Sequence, residues 1–391
     1  MKKSVKLTAL VLIASVVFTT SNIWADETQA TGDNSTPAST INAAENGEAA
    51  KDSLIVTDKG GTLHLTLDEA LSLVETGNSS LKLTDSKIAI YEKQYEQALA
   101  RHDANYAEVD EDSAKVRKLN HKKALWNLEN AKYDREKQLK DVKVQVANQY
   151  ENILALQEQV NNLKLQIGNV DKYIEQLKLQ INLGMSIESQ IYALNAQRSG
   201  LEAALKASQN SITSSMIALK KDLGIDIARE VVLTSDLIAY KKFNDSQINE
   251  RIAKAIENDY DLKRYEQDVE LTEIEYDIAY YYSNGSADQL QISVEDKKET
   301  LEALPVTKEV ELKKAYNSLK SLENSIKAAE LAVEADKINI EVLQKKIDAG
   351  VSSSIEMIEL QNKLLNDQYT LLQNIISYMS AVANFENSLE S

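Results

Sequence analysis

The feature that most constrains this chain is a run of apolar residues that alternates spacings of three and four without a break from Leu139 to Ile181. Such spacing places the apolar side chains on one stripe of an α-helix and is typical of a left-handed coiled-coil seam. The run covers about 40 residues, or roughly 60 Å of helix. The 391 residues include only two prolines, so little in the sequence interrupts long helices.

The same pattern occurs a second time, from Leu312 to Ile347. A shift of 166 positions carries this second register onto the first, with Ile347 falling on Ile181. Both runs end at a glycine, Gly184 and Gly350, which are also 166 positions apart. Because a further apolar pattern follows each glycine, the sequence predicts two long antiparallel helical hairpins whose tips are the glycine loops.

We therefore predict an all-α fold made of two tandem repeats of long antiparallel coiled-coil hairpins, over residues 61–235 and 236–391. Thr66 and Glu69 form the sequence pattern of a capping box, which predicts that the first helix begins there. An amphipathic hairpin cannot bury its seam alone, so oligomerisation is expected. Periodicity by itself is equally compatible with an ordinary coiled-coil rod.

The N-terminus has the order of a secretory signal peptide. Lys2, Lys3 and Lys6 precede an apolar run, and Ala25 closes a cleavage-site pattern before acidic residues. We predict a signal peptide over 1–25. Residues 26–60 contain few large apolar side chains, which predicts a disordered acidic leader.

Composition excludes several classes of function. The net charge is −17, which disfavours a nucleic-acid binder, and the absence of cysteine excludes disulfides and thiolate metal sites. The three histidines, His64, His102 and His121, have no metal-ligand spacing, and no catalytic triad or phosphate-binding glycine loop is readable. We expect no enzyme activity, no catalytic residue, no metal and no cofactor.

The signal peptide, the Leu65–Leu71 opening (LTLDEAL) and the duplicated hairpins with glycine tips together resemble the TolC-like outer-membrane efflux protein family. The resemblance covers residues 63–391. It implies a homotrimer whose hairpins pack into an oligomeric α-helical tunnel. It also implies two partners, which are a periplasmic-adaptor-like (membrane fusion) protein at the tips and an inner-membrane pump, with an ABC transporter as one candidate.

Two sets of site residues follow from the resemblance. The tip triplets would dock the adaptor, and here they read Leu183, Gly184, Met185 and Ala349, Gly350, Val351. Carboxylates six and nine residues after the second tip glycine would line the pore constriction, and these are Glu356 and Glu359. The first repeat has Gln190 and Ala193 there instead. A plain turn would need the glycines equally, and a solvated helix start would favour the glutamates equally.

The chain departs from the family where each repeat normally inserts two β-strands. Residues 101–138 carry charges on both faces and are predicted as helix or charged loop. Residues 278–294 alternate around Asn284-Gly285, and we interpret them as an exposed mini-hairpin or loop. The β-barrel segment is therefore predicted to be absent or vestigial.

The sequence thus favours the exit duct (channel-tunnel) of a tripartite efflux or export system in the cell envelope. By resemblance the location is the outer membrane; if the strands are truly absent, the protein is extracytoplasmic without an integral barrel. The alternative is a secreted structural coiled-coil protein without transport activity.

Overall fold

The computed structural model describes residues 61–104, 107–185, 188–352 and 354–390, with the backbone alone for Ser354 and Ile355. The predicted signal peptide and acidic leader lie outside the described residues, and the division between repeats at 235/236 stays a prediction. Helices dominate the described ranges, and the two strands are three residues long. In chain order the elements are β1 (Leu63–Leu65), α1 (Leu67–Gly77), α2 (Ser79–Asp103), α3 (Glu111–Lys115), a π-helical turn (Val116–Asn120), α4 (His121–Asn182), α5 (Ser189–Leu223), β2 (Val231–Leu233), α6 (Ile248–Glu257), α7 (Tyr260–Tyr281), α8 (Ala287–Asp348) and α9 (Ser354–Leu389).

The internal repeat is confirmed in the helix boundaries. Helices α4 and α8 each have 62 residues, and both their first and their last residues differ by 166 positions. Each helix is therefore about 93 Å long at 1.5 Å per residue. Helices α5 and α9 return beside them, so each repeat contains one long hairpin, as the apolar spacing predicts. The all-α fold class is confirmed.

The predicted capping box at the start of α1 is confirmed, and side chains also cap α2 and α7. The Thr66 hydroxyl accepts a hydrogen bond from the Glu69 backbone N–H, and the Glu69 carboxylate accepts one from the Thr66 N–H. Asn78 caps α2, and Asp259 caps α7 in the second repeat. These side chains bind backbone N–H groups that have no partner inside the helix.

Each hairpin has a buried apolar core of its own. In the first repeat, α1, α4 and α5 contribute Val74, Tyr150, Ile153 and Leu223. The second core is formed by residues of α6, α8 and α9, which include Ile252, Leu319, Ile326, Tyr378 and Phe385. Nearer the first tip, Val170, Ile174 and Leu177 of α4 pack with Leu194 of α5.

A non-helical linker, residues 234–247, connects the repeats and is held by two tyrosines. The Tyr150 hydroxyl donates to the Leu65 carbonyl at 2.7 Å and accepts from the N–H groups of Thr234 and Ser235. In the second repeat, the Tyr378 hydroxyl accepts from the Phe243 N–H at 2.8 Å. Next to the linker, β1 and β2 pair in parallel, which the sequence analysis did not predict.

Residues 278–294 differ from the prediction of a mini-hairpin or loop. They form the end of α7, a short turn and the start of α8. Ile278 and Ala279 are both buried whereas Tyr280 is 70% exposed, which is a helical burial pattern rather than a strand alternation. The described residues of the range 101–138 are mostly helical, and helix was one of the two forms predicted for it. Among the helices of the described ranges, none combines the length and apolar character that a membrane crossing requires.

Candidate functional site

Both hairpin tips are built in the same way. Gly184 and Gly350 each have φ +71°, a left-handed conformation that a Cβ would disfavour. The Gly184 N–H donates to the Ile181 carbonyl and the Met185 N–H to the Gln180 carbonyl, which is the hydrogen-bond pair of a Schellman motif. The second tip repeats both bonds at the equivalent residues. The glycines are thus required by the turn itself.

The residues beside the glycines expose apolar surface. Leu183 is 74% exposed, and Met185 and Val351 are each 75% exposed, while Ala349 is also exposed. The turn geometry explains the glycines but gives no reason for three large apolar side chains in water. Clustered exposed apolar side chains are typical of an interaction site. The structure therefore places each predicted tip triplet at the end of its own hairpin, with its large apolar side chains exposed.

The two predicted constriction carboxylates lie on the first two turns of α9. Glu356 and Glu359 are both exposed, and neither forms an ion pair within the described part of the chain. Burial raises the pKa of the Tyr173 phenol, and the negative charge of Glu359 raises it further, so Glu359 lies beside α4. In the first repeat, Gln190 and Ala193 are exposed at the equivalent positions. The acidic pair is specific to the second hairpin.

The hairpins pack side by side through polar contacts between α4 and α9. Among the described residues, side-chain hydrogen bonds cross this contact at Asn148–Ser380 (2.6 Å), Gln166–Asn366 (3.0 Å) and Asn169–Asn362 (3.2 Å). Since α4 also packs on α5 and α9 on α8, the helices follow the order α5, α4, α9, α8. Helices α5 and α8 are therefore the two edges of this layer. Sequence reasoning did not identify this polar contact.

A buried ion pair joins α8 and α9 above the second tip. Asp336 is 2% exposed, and both of its carboxylate oxygens accept hydrogen bonds from the Lys363 ammonium at 2.7 and 2.8 Å. Asp367 binds the same ammonium and is itself partly exposed. The first repeat has Val170 at the position of Asp336. A carboxylate in an otherwise apolar seam was the sequence signal for this pair.

No protein-family model matches this sequence, and no curated protein matches it either. Solved structures do match its fold. The outer membrane protein VceC from Vibrio cholerae is 14% identical with a TM-score of 0.63, and the match covers 83% of this chain and 94% of that one. A membrane protein from Pseudomonas aeruginosa is 11% identical with a TM-score of 0.65, covering 83% and 93%. The CmeC outer membrane channel of Campylobacter jejuni is 12% identical with a TM-score of 0.62, covering 83% and 85%.

The chain has the TolC-like fold. The structures that share it are named as outer membrane channels and proteins rather than enzymes. At identities of 9–14% the similarity shows the fold alone. Within the described ranges of this chain, no three or more His, Asp or Glu side chains are placed to hold a metal ion.

Proposed function

We propose that this protein is the exit duct of a tripartite efflux or export system, in which several copies enclose a tunnel. The observation that carries the proposal is the pair of equal hairpins packed side by side, with one helix left at each edge. Helix α5 ends one side of the layer, and α8 ends the other. A layer with two different edges can grow by joining one edge to the opposite edge of a second copy, and such head-to-tail contacts form a ring when the rotation between copies closes.

The contact inside the chain supplies a template for the contact between copies. Helix α4 is the repeat equivalent of α8, and α9 is the equivalent of α5. The α4–α9 pair Asn169–Asn362 therefore corresponds to Ala335 of one copy and Ala196 of the next. The pair Gln166–Asn366 corresponds in the same way to Ala332 and Gly200. Small residues at these four positions allow the two edge helices to approach closely.

The α8 edge carries apolar side chains that the single chain does not cover. Leu331 is 63% exposed, Ile338 is 51% exposed and Val342 is 45% exposed, and they share one stripe of the helix. Ala193, Ala196, Ala203 and Ala207 are exposed along α5. Large side chains against a face of alanines are suited to close helix packing. The number of copies, three, comes from the family resemblance alone.

The tips and the acidic pair take their roles within this assembly. Leu183, Met185 and Val351 would meet the apolar surface of an adaptor protein, and an inner-membrane pump would deliver the cargo. Repetition of Glu356 and Glu359 around a narrow bore would give a ring of carboxylates. Their mutual repulsion favours cations or protons between them and disfavours anionic cargo. We place the assembly in the cell envelope, following export by the predicted signal peptide.

Cysteine cross-linking tests the proposal cleanly, because the chain has no cysteine of its own. The Ala335→Cys/Ala196→Cys double variant is oxidised and separated on a denaturing gel. We expect covalent oligomers that end at a closed species, whose size gives the number of copies. Each single variant is the matched control and stays monomeric, since a head-to-tail contact does not bring two identical residues together.

Three outcomes would contradict the exit-duct proposal. Cross-linking of a single variant would indicate a self-complementary dimer, and no cross-linking at all would indicate another contact or a monomer. A covalent oligomer that is solid in electron microscopy would favour the alternative function, a secreted structural coiled coil. A hollow closed oligomer supports the duct.

A further inference from the structure

A cleft of about 630 Å³ lies at the ends of α2 and α7, away from the hairpin tips. Its walls come from the last turns of α2 and α7, the π-helical turn and the first turn of α4. Irregular π-turns inside helices are frequent at functional sites. The tunnel function proposed above does not use this cleft.

One wall of the cleft is cationic. The π-turn and the start of α4 contribute Arg117, Lys118 and Lys122. Arg117 and Lys118 share one carboxylate, Glu108, at 3.4 and 2.7 Å, and Lys122 forms no ion pair with any described residue. Positive charge is therefore in excess at this wall, in a chain whose net charge is −17.

The facing wall is apolar and aromatic. Helix α7 contributes Ile274, Ile278, Tyr281 and Tyr282, and the two tyrosine rings contact edge to face at 4.9 Å. Tyr281 is 79% exposed. Asp277 is the single carboxylate among the described lining residues. The cleft thus combines cations on one side with apolar surface on the other.

Two of the three histidines of the chain meet on the cationic side. The rings of His102 and His121 lie 4.1 Å apart between centroids. The His102 Nδ1 lies 3.0 Å from an Asp103 carboxylate oxygen, whereas the buried Nδ1 of His121 has no hydrogen-bond partner among the described residues. A buried polar atom without a partner is costly. The two imidazoles also line the cleft and add hydrogen-bonding groups to its cationic wall.

We propose that this cleft binds an amphipathic anion, in which a phosphate-like or carboxylate headgroup contacts Lys118, Lys122 and the histidine pair while an apolar chain lies against Ile278 and Tyr281. A membrane lipid and a dissolved amphiphile share this chemistry.

The test is calorimetric titration of the full chain with octyl phosphate below its micelle concentration. We expect saturable binding that weakens at least tenfold in Lys118→Gln/Lys122→Gln. The matched control is Lys172→Gln/Lys178→Gln, which removes the same charge from exposed positions further along α4 and should bind as the unaltered protein does. Octylammonium, with the same chain and opposite charge, and inorganic phosphate, with no chain, should each bind at least tenfold more weakly.

The proposal would be overturned if the two double lysine variants bound octyl phosphate equally well. It would also be overturned if octylammonium or inorganic phosphate bound the unaltered protein as tightly as octyl phosphate does. Vesicles that contain phosphatidylglycerol distinguish the sources. Co-sedimentation that is lost in Lys118→Gln/Lys122→Gln assigns the cleft to a lipid headgroup. Octyl phosphate binding without co-sedimentation assigns it to a soluble amphiphile. Neither result depends on the tunnel, so this proposal and the exit-duct proposal can fail separately.

Discussion

At the scale of single residues, two kinds of glycine serve different purposes in this chain. Gly184 adopts φ +71° at a tip where no described residue lies within 4 Å of an added Cβ. Gly77, at the end of α1, has an ordinary helical backbone conformation. A Cβ at this position would lie 2.0 Å from the Leu223 carbonyl oxygen of α5. The first glycine allows a turn, and the second allows two helices to touch.

Alanine substitutions separate these two roles. We expect Gly184→Ala to cost about 1 kcal/mol, because only the backbone conformation is strained. Gly77→Ala should cost more, since α1 and α5 must move apart. Thermal unfolding followed by circular dichroism measures both losses. A larger drop in melting temperature for Gly184→Ala than for Gly77→Ala would contradict this interpretation.

Ionisation of the buried Glu151 carboxyl should make the stability of the fold depend on pH. Glu151 is 4% exposed, and burial raises the pKa of its carboxyl above the ordinary value of 4.5, although the hydrogen bond from the Ile238 N–H offsets part of this. The folded state therefore binds this proton more tightly than the unfolded state. Its contribution to stability is lost as pH rises from about 4.5 through the raised pKa.

Glu151→Gln keeps an oxygen that accepts from Ile238 and removes the titration. Near pH 8 we expect the variant to melt at a higher temperature than the unaltered protein, and the difference should shrink towards pH 4.5. Glu175→Gln, at an exposed position of the same helix, is the control and should show no such trend. A difference that is independent of pH would refute the assignment to Glu151.

At the scale of elements, much of the fold could be predicted because apolar spacing reports directly on which helix face is buried. The positions Val146, Val160, Val170 and Leu177 of the predicted seam are indeed buried. Contacts between elements distant in sequence could not be predicted. Three such contacts are the hydrogen bonds of the Tyr150 hydroxyl, the polar side-chain bonds between α4 and α9, and the ring contact of His102 with His121. They depend on which helices become neighbours, and no local sequence pattern encodes that.

The interpretation of residues 278–294 as an exposed mini-hairpin or loop was wrong for a related reason. Ile278, Tyr280 and Tyr282 alternate, but Leu271, Ile274, Ile278 and Tyr282 also follow helical spacing. Short segments support both readings, and the long helix on each side decides between them. The tip residues could be predicted in part. Their turns depend on neighbouring residues in the sequence, whereas their proposed partners are other proteins that the sequence does not contain.

The buried ion pair of the second hairpin has a natural comparison in the first. Lys363→Gln leaves the Asp336 carboxylate buried without its ammonium, and we expect a loss of about 2–3 kcal/mol in the free energy of unfolding, because Lys363 is itself half exposed. The double variant Asp336→Val/Lys363→Gln restores the residues of the first repeat, Val170 and Gln197, and should be near neutral. Chemical denaturation measures both. A double variant as unstable as the single one would contradict the prediction.

At the scale of the whole molecule, substitutions at the layer edges and at the hairpin tips should affect different properties, which are assembly and adaptor docking. We expect Leu331→Glu to weaken assembly, because it places a charge on the exposed stripe of α8, and to leave the tips unchanged. Met185→Glu/Val351→Glu should assemble normally and lose binding to the proposed adaptor protein, since both residues lie at the tips. Size-exclusion chromatography with light scattering measures assembly, and pull-down with the adaptor measures docking. Loss of assembly in the tip variant would count against this division of roles.

The matched 62-residue lengths of α4 and α8 carry one more consequence. Adding seven residues to each helix of one hairpin would push its glycine turn about 10.5 Å beyond that of its neighbour. Any redesign that bridges a wider gap must therefore insert the same heptad four times per chain, twice going out and twice coming back. The two hairpins of this fold can therefore keep their tips level only if both change in length by the same amount.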